Sequence, residues 1–189
     1  KDNISKIVDE ILGSKAKIEE KALIQLESSN GLFGEVNYAM NEFAIHKNDT
    51  SSMIVIHTYI DGDYLNSYWA DGLIIATPTG STAYSLSCGG PIIYPKTGCF
   101  VITPVAPHNL NLRPIVVSDQ CTISFEIEGR SDQFLCTMDS RSSTIYSKTE
   151  LAVNKAPFNV KLIRLQEDDF KSTLRNKMMW GLDKRNYRS

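Results

Sequence analysis

The chain has no strong charge imbalance and no long apolar run, and each absence excludes a class of protein. Its 189 residues include 20 basic and 22 acidic side chains, so a net charge of −2 provides no field that would attract nucleic acid or anionic lipid. The apolar runs stay well short of the ~18 residues that a membrane-spanning helix needs. We expect neither a nucleic-acid partner nor a membrane partner.

Cysteines are few and scattered, which predicts a reducing compartment. Cys88, Cys99, Cys121 and Cys136 lie 11, 22 and 15 positions apart, with no Cys-x-x-Cys pair and no signal peptide before them. Disulfides form in oxidising compartments, so this spacing favours buried free thiols. We therefore expect a soluble, cytoplasmic protein.

Common catalytic and metal-binding signatures are missing as well. The sequence contains no Gly-x-x-x-x-Gly-Lys-Ser/Thr phosphate loop and no Gly-x-Ser-x-Gly turn of the kind that carries a hydrolase nucleophile. The three histidines, His46, His57 and His108, share no carboxylate or cysteine spacing that would make a metal site. We predict no protein-bound metal.

The most informative segment that is present covers residues 71–95. An apolar strand at 73–76 runs into Thr77-Pro78-Thr79-Gly80, and a short helical pattern at 81–88 then stops at Gly89-Gly90-Pro91. Backbone N–H groups at a helix start lack intrahelical partners and carry partial positive charge. Together with the hydroxyl groups of this loop, they predict a site for a phosphorylated or hydroxyl-rich ligand such as a nucleotide.

The rest of the chain reads as mainly β with a few helices, an α+β fold. Helical spacing predicts an N-terminal helix over residues 4–12 that ends at Gly13, and a C-terminal helix over 170–179 before a polar tail at 183–189. Period-two alternation predicts a strand at 121–128 and another at 158–162, each with one dry face. Two hairpins are predicted, one joining 53–60 to 64–70 and the other joining 134–138 to 144–147.

Residues 71–95 closely resemble the signature of the NAD kinase family. The shared features are Asp-Gly-Leu-Ile, Thr-Pro-Thr-Gly-Ser-Thr-Ala-Tyr and Gly-Gly-Pro in this order and spacing. Further matches span nearly the whole chain: Asn41-Glu42, Pro107-His108-Asn109-Leu110, Arg113-Pro114, Met138-Asp139-Ser140 and Ser172-Thr173-Leu174 ending at Trp180. The resemblance implies a multi-stranded, β-sandwich-like C-terminal domain, with residues 1–18 as an N-terminal helix or interdomain segment and 19–189 as the NAD-binding domain.

The family's Gly-Gly-Asp-Gly motif does not occur in these 189 residues. In the family this motif lies in an N-terminal α/β domain, contacts ATP phosphates and supplies the carboxylate that deprotonates the ribose. We therefore interpret the chain as a C-terminal domain without that α/β domain. No catalytic residue is expected within it, and we expect the isolated chain to be inactive.

The resemblance implies ATP-dependent phosphorylation of NAD at the adenosine 2′-hydroxyl to give NADP. NAD and ATP would be the substrates, Mg²⁺ or another divalent cation would arrive with ATP, and the protein would be a homodimer or homotetramer. Two alternatives remain. The chain could be a non-catalytic module for dinucleotide binding and oligomerisation, or a relative of the diacylglycerol-type lipid kinases that share the wider superfamily.

Several polar residues are candidates for the ligand site on their own pattern. Asn41 and Glu42 interrupt the alternating stretch 36–45, and strand neighbours point to opposite faces, so at least one should meet the core or a cleft. A turn or an edge strand would explain the pair equally well. Asp71 precedes a glycine, which most often makes only a turn. Tyr84 could stack on a base or be a half-buried core aromatic.

The resemblance selects among these alternatives. It implies that Asn41 and Glu42 bind ribose hydroxyls and adenine, and that Asp71 contacts NAD, in some members from a neighbouring subunit. It extends the NAD-binding set to the residues after Gly80: Thr82, Ala83, Tyr84, Ser85, Leu86 and Ser87. Arg141 joins the set at a position where relatives often carry Gln or His. Trp69 stands where some relatives carry a basic residue, and its side chain cannot supply that charge to a phosphate.

Overall fold

The computed structural model describes residues 2–13, 17–48, 52–164 and 170–178, and the fold in these ranges is mainly β. Three α-helices and one 3-10 turn accompany twelve strands in the described ranges. The helices are α1 (Asp2–Leu12), α2 (Tyr84–Ser87) and α3 (Phe170–Lys177), and the 3-10 turn is Gly80–Thr82. The strands are β1 (Lys17–Ser28), β2 (Tyr38–Ala39), β3 (Glu42–Lys47), β4 (Ile54–Ile60), β5 (Asp63–Ala70), β6 (Gly72–Ala76), β7 (Cys99–Val105), β8 (Ile115–Ser118), β9 (Ile123–Glu128), β10 (Gln133–Met138), β11 (Arg141–Tyr146) and β12 (Leu151–Arg164). The predicted fold class is confirmed.

The strands form two six-stranded sheets. The first has the order β2-β1-β12-β9-β4-β5, and the second has the order β11-β10-β3-β6-β7-β8. Large apolar side chains from both sheets make one buried cluster, in which the rings of Phe43 and Phe125 lie 5.9 Å apart. The alternation predicted for β9 holds, because Ile123, Phe125 and Ile127 are all buried there. The two sheets therefore pack as a sandwich.

The outer face of the second sheet is also covered. A smaller cluster joins Ala44, Ile74, Ala76 and Val101 on this face. All five residues of β6 are buried, as expected for a strand with packing on both sides. The segment after β6 lies over this outer face, since Cys88 packs against the smaller cluster. This segment carries most of the candidate residues.

The chain divides into two compact units. One comprises residues 21–160, and the other comprises 1–20 together with 161–189. Within the described part of the smaller unit, Arg164 pairs with Glu19, and Lys161 Nζ lies 4.0 Å from Glu20 Oε1. Helix α1 carries the predicted apolar stripe, and its members are exposed: Ile4, Ile7, Val8, Ile11 and Leu12. No helix in the described ranges is long and apolar enough to cross a membrane.

Two hairpins match the prediction in place but not in detail. The turn between β4 and β5 is the pair Asp61-Gly62, with φ of 52° and 87°, as two-residue hairpin turns require. The second hairpin was predicted with a five-residue loop at 139–143, and this was wrong. Met138 pairs directly with Arg141, so the turn is only Asp139-Ser140. Small hydroxyl residues after the turn continue the ladder because they fit an edge strand.

Three further predictions need correction or lie at the edge of the described residues. The predicted helix 81–88 is broken at Ala83, whose φ of −101° and ψ of −126° separate the 3-10 turn from α2. The predicted dry face of 158–162 is exposed, with Phe158 47% and Leu162 37% accessible. Alternation shows which side chains share a face but not whether anything covers it. Helix α3 ends at Lys177, and residue 179 and the tail lie outside the described residues.

Candidate functional site

The loop after β6 holds the backbone of residues 40 and 41 through one buried threonine. Thr77 Oγ1 donates to the carbonyl of Met40 at 2.6 Å, and Thr77 N–H donates to the carbonyl of Asn41 at 2.9 Å. The same Oγ1 accepts the N–H of Gly80 at 3.1 Å. The Thr77–Gly80 loop therefore lies directly against the backbone at Asn41, next to Glu42.

Gly80 is required by the closeness of this contact. A Cβ built on Gly80 would lie 2.0 Å from the carbonyl oxygen of Asn41 and 2.7 Å from its Cα. Real Cβ atoms do not approach backbone this closely, so any other residue would push the loop away from Asn41. The loop glycine thus serves backbone-to-backbone packing.

Asp139 holds the same short segment from the other side. Its Oδ2 accepts the N–H of Met40 at 2.9 Å, and its Oδ1 accepts those of Asn41 at 2.8 Å and Glu42 at 3.2 Å. Its own N–H donates to the carbonyl of Glu42 at 3.1 Å. Asp139, which the predicted hairpin places in its loop, is therefore tied to the candidate site.

The Glu42 side chain is held in an unfavourable environment. Its Oε2 is buried and has no hydrogen-bond partner. Burial, and then the nearby Asp139 carboxylate, raise the pKa of Glu42 above its ordinary value of 4.5. A buried acceptor without a donor costs free energy, and a ligand hydroxyl or amine placed there would supply the missing donor.

The predicted array of free N–H groups at the helix start is only partly present. Ser81 N–H donates to the carbonyl of Thr77, and Ala83 N–H donates to the carbonyl of Gly80, both at 2.9 Å. With the Gly80 N–H bonded to Thr77 Oγ1, the loop uses these donors internally. The 3-10 geometry explains the correction, because tight turns pair each donor with a nearby carbonyl.

Residues 82–87 divide into exposed and buried members. Ser85 is fully buried, and its Oγ lies 2.8 Å from Thr103 Oγ1, which fastens α2 to strand β7. The other candidates after Gly80 are exposed or half-buried: Thr82, Ala83, Tyr84, Leu86 and Ser87. Tyr84 is 38% accessible and offers the one large ring in this group. These five side chains can reach a ligand, whereas Ser85 faces the sheet.

Tyr84 lies between His46 on β3 and Cys88 at the end of its own helix. Its ring centroid is 5.7 Å from that of His46 on β3, and its hydroxyl interacts with Cys88. Burial raises the pKa values of Tyr84 and Cys88, so both keep their protons at neutral pH. Burial also lowers the pKa of His46 from 6.5, so that ring is neutral. Tyr84 therefore presents an uncharged aromatic surface.

Asp71 is anchored at the same end of the site as Tyr84. Its Oδ1 lies 2.7 Å from Lys47 Nζ, and its N–H donates to the carbonyl of Val105 at 3.0 Å. The Asp71 charge is close enough to contribute to the raised pKa of Tyr84. The carboxylate is one-third accessible, so it is partly available to a ligand.

Arg141 and Trp69 are engaged in other contacts. The Arg141 guanidinium donates to the carbonyls of Val36 and Tyr38 and lies over the Phe33 ring at 5.6 Å. These contacts hold the segment before β3 to the hairpin. Trp69 stacks on His108 with ring centroids 4.9 Å apart. The Trp69 ring is therefore paired with another aromatic ring in the folded chain.

The candidate groups form a line along β3. Glu42 and His46 share one face of the strand with Ala44, and four residues of strand span about 13 Å. Polar acceptors lie at the Glu42 end, and the Tyr84 ring and the Asp71 carboxylate lie at the His46 end. Such a site suits an elongated ligand with hydroxyls at one end and a flat ring at the other.

Sequence reasoning did not assign roles to four residues that shape this site: Thr77, Asp139, His46 and Lys47. Thr77 and Asp139 lay inside matched motifs, which was a usable signal. Nothing local marks His46 or Lys47. Their roles depend on Tyr84 and Asp71, which reach them only through strand pairing.

Comparison with known proteins points to a single family. The model of the ATP-NAD kinase C-terminal domain matches residues 40–165. Among curated proteins, the NAD kinase of Cytophaga hutchinsonii is 56% identical over 95% of this chain and 61% of its own length. The NAD kinase of Flavobacterium psychrophilum is 47% identical over 98% of this chain and 64% of its own length. The chain therefore spans less than two thirds of these relatives.

Two solved structures share the fold. A yeast NADH kinase complexed with NADH aligns with a TM-score of 0.87, 23% identity, and coverage of 99% of this chain and 57% of that one. An NAD kinase from Archaeoglobus fulgidus in complex with ATP aligns with a TM-score of 0.76, 24% identity, and coverage of 93% and 65%. At these identities the alignments establish the two-sheet architecture alone.

Proposed function

The chain belongs to the ATP-NAD kinase family, and from that premise we propose that residues 19–189 form the NAD-binding part of an enzyme that makes NADP. The reaction would transfer a phosphoryl group from ATP to the 2′-hydroxyl of the adenosine ribose of NAD. Relatives named NAD kinase at 47% to 56% identity support this assignment. So do the NADH and ATP bound in the two structures of the same fold.

The observation that carries the proposal is the contact between the Thr77–Gly80 loop and the Asn41-Glu42 pair. Beside this contact, Glu42, whose Oε2 is buried without a partner, shares a face of β3 with His46, which packs against Tyr84. A ribose diol would donate to Glu42 and Asn41, and a planar base would pack on Tyr84. Asp71 would contact the dinucleotide at the same end of the site as Tyr84.

The remaining candidates have lesser roles in this proposal. Thr82, Ala83, Leu86 and Ser87 would line the groove beside Tyr84. Ser85 would act by fastening α2 through Thr103 rather than by touching the ligand. Arg141 would shape the site through the 33–38 segment that it binds.

We further propose that these 189 residues bind NAD but do not turn it over alone. Phosphoryl transfer depends on positioned phosphates, a metal that neutralises their charge and an oriented nucleophile. The family's Gly-Gly-Asp-Gly motif, which serves those tasks, is not among these residues. Mg²⁺ or another divalent cation would enter with ATP. Conversion of NAD and MgATP to NADP by this chain at the rate of a longer relative would contradict the proposal.

Calorimetric titration with NAD and NADP tests the binding role. Asp71→Ala and Tyr84→Ala should each weaken NAD binding by about tenfold or more, equivalent to about 1.4 kcal/mol. Tyr146→Ala and Asp132→Ala are matched controls, because both residues are exposed and lie outside the site. Wild-type affinity in both site variants would remove Asp71 and Tyr84 from the site.

Two companion proposals have separate tests. A cytoplasmic setting is consistent with the four unpaired cysteines. Light scattering tests the homodimer or homotetramer, and a strict monomer would contradict it. A lipid kinase relative would be stabilised by a diacylglycerol micelle rather than by NAD. A thermal-shift comparison of the two ligands distinguishes these substrate classes.

A further inference from the structure

The backbone of residues 40–42 has every polar group satisfied by only two other residues. Thr77 binds the carbonyls of Met40 and Asn41, and Asp139 binds the three N–H groups and the carbonyl of Glu42. The three N–H groups have no hydrogen left for a ligand, and the paired backbone resists movement. Apart from the second lone pairs of the carbonyls, the groups of this segment that remain available to a ligand are the side chains of Asn41 and Glu42.

We propose that Asp139 and Thr77 are positioning residues that fix this segment so that the Asn41 and Glu42 side chains point to the dinucleotide. This inference rests on the proposed function. We call the arrangement the 40–42 clasp. Neither residue needs to touch the ligand, because each acts through backbone hydrogen bonds. The clasp brings together residues about one hundred positions apart, since Asp139 and Met40 are 99 apart.

A carboxylate is the group that suits the Asp139 position. Both of its oxygens accept, so three converging N–H groups can be bound without any donor facing a donor. Asparagine would turn one of those atoms into an NH₂ group that faces an N–H. Asp139 also has φ of 50°, a left-handed conformation that aspartate and asparagine both tolerate. Asp139→Asn therefore tests acceptance of hydrogen bonds without adding backbone strain.

Glu42, the last residue of the segment held by the clasp, shows why this segment must stay in place. Its Oε2 is buried without a partner and lies in the field of Asp139. The protein thus holds two carboxylates close together, which is unfavourable unless a ligand donor meets one of them. If the segment relaxed, Glu42 could turn to solvent and relieve this penalty. The clasp prevents that relaxation and keeps the acceptor oriented for the ligand.

The test measures NAD affinity by calorimetry and amide hydrogen exchange at residues 40–42 in parallel. Asp139→Asn should weaken NAD binding by about tenfold and speed exchange at one or more of the three amides by a similar factor. Thr77→Val, which keeps a similar shape but loses the hydroxyl, is the second variant. It should also weaken NAD binding, because the Met40 carbonyl loses the hydroxyl that donates to it.

Asp119→Asn is the control for general destabilisation. Asp119 is a buried carboxylate that pairs with Lys155 at 2.7 Å, away from the clasp. This variant should lower the unfolding temperature at least as much as Asp139→Asn while leaving NAD affinity and exchange at 40–42 unchanged. Loss of affinity in proportion to stability across all three variants would overturn the positioning role.

The outcomes separate the inference from the function on which it rests. A wild-type chain that does not bind NAD overturns the proposed function. Unchanged exchange at 40–42 in Asp139→Asn overturns the clasp itself. Faster exchange with undiminished NAD affinity shows that the clasp exists but does not position the ligand contacts, and it also overturns the proposal.

Discussion

The two ends of strand β3 build their part of the site in different ways. At the Glu42 end, backbone hydrogen bonds to Thr77 and Asp139 hold the segment, and Glu42 Oε2 is left buried without a partner. At the His46 end, side chains meet one another through the tilted ring contact of His46 with Tyr84 and the ion pair of Lys47 with Asp71. The Glu42 end is held rigidly and keeps one buried oxygen without a hydrogen bond, whereas the side chains of the His46 end are paired and partly exposed.

This difference indicates how each end would respond to change. Backbone clamping transmits any displacement of the loop directly to the ligand contacts, so substitutions at the Glu42 end should have large effects. Side-chain pairs near solvent can adjust, and exposed ion pairs contribute little. We therefore expect effects to decrease from the Gly80 contact to the Lys47 ion pair.

The largest effect is expected from Gly80→Ala. The added Cβ would lie 2.0 Å from the Asn41 carbonyl oxygen, and neither backbone can yield cheaply. We expect a loss of about 3 kcal/mol in the free energy of unfolding, at the upper end for overpacking, and loss of NAD binding. Urea unfolding and calorimetry measure the two effects. Gly98→Ala is the matched control, because its Cβ would make ordinary contacts of 3.4 Å or more. Equal losses in the two variants would contradict the close-packing argument.

Glu42→Gln should weaken binding yet stabilise the fold. The pKa of Glu42 is raised, so its protonated form is favoured in the folded state. The stability that this form contributes is fully present below pH 4.5 and is lost as the pH rises through the pKa of Glu42 in the folded protein. At pH 7 the glutamine removes that penalty, whereas NAD affinity should fall about tenfold with the charged acceptor gone. Thermal unfolding should show a higher melting temperature for the variant at pH 7 and no difference near pH 4. The same substitution at Glu128, whose side chain is 73% exposed, should show neither effect.

The His46 end should depend on pH in the opposite direction. Burial lowers the pKa of His46. The stability contributed by its neutral form is therefore fully present above pH 6.5 and is lost as the pH falls through the pKa of His46 in the folded protein. His46→Gln should remove this loss, leaving a melting temperature that drops about 2 °C less than wild type between pH 7 and pH 5.5. Parallel melting curves for the two proteins over this range would show that His46 does not titrate as inferred.

The smallest effect is expected from Lys47→Met. The pair with Asp71 is close, at 2.7 Å, but both side chains are partly exposed, so its removal should cost about 0.5 kcal/mol at low salt. High salt should abolish the difference from wild type. Lys161→Met is the control, since its partner atom is 4.0 Å away and the Lys161 side chain is 67% exposed. A change in NAD affinity larger than that of Glu42→Gln would reverse the ranking of the two ends.

Sequence reasoning recovered the parts of the fold that depend on neighbours along the chain. The N-terminal helix, the alternation of β9 and the Asp61-Gly62 turn all follow from local spacing and backbone preference. The break at Ala83 and the tight Asp139-Ser140 turn were missed. Both depend on hydrogen bonds that the loop and the hairpin form once packed against other strands.

The candidate site shows the same division. Asn41, Glu42 and the Thr77–Gly80 loop were predicted to lie together, and the structure brings them together. The anchoring of Arg141 on Val36 and Tyr38 and the burial of Ser85 could not be predicted from the sequence. Each involves a partner distant along the chain, and no local pattern encodes the identity of that partner.

By itself, the sequence determined the family, the β-rich class and the short segments that carry polar groups, because motif spacing and side-chain periodicity are local properties. Only the tertiary structure decided that Asp139 closes on residues 40–42, that Glu42 is left as a buried acceptor and that Lys47 pairs with Asp71. Pairing of β3 with β6 and β10 brings these groups within hydrogen-bond distance. Burial then determines the free-energy cost of leaving any one of them unpaired.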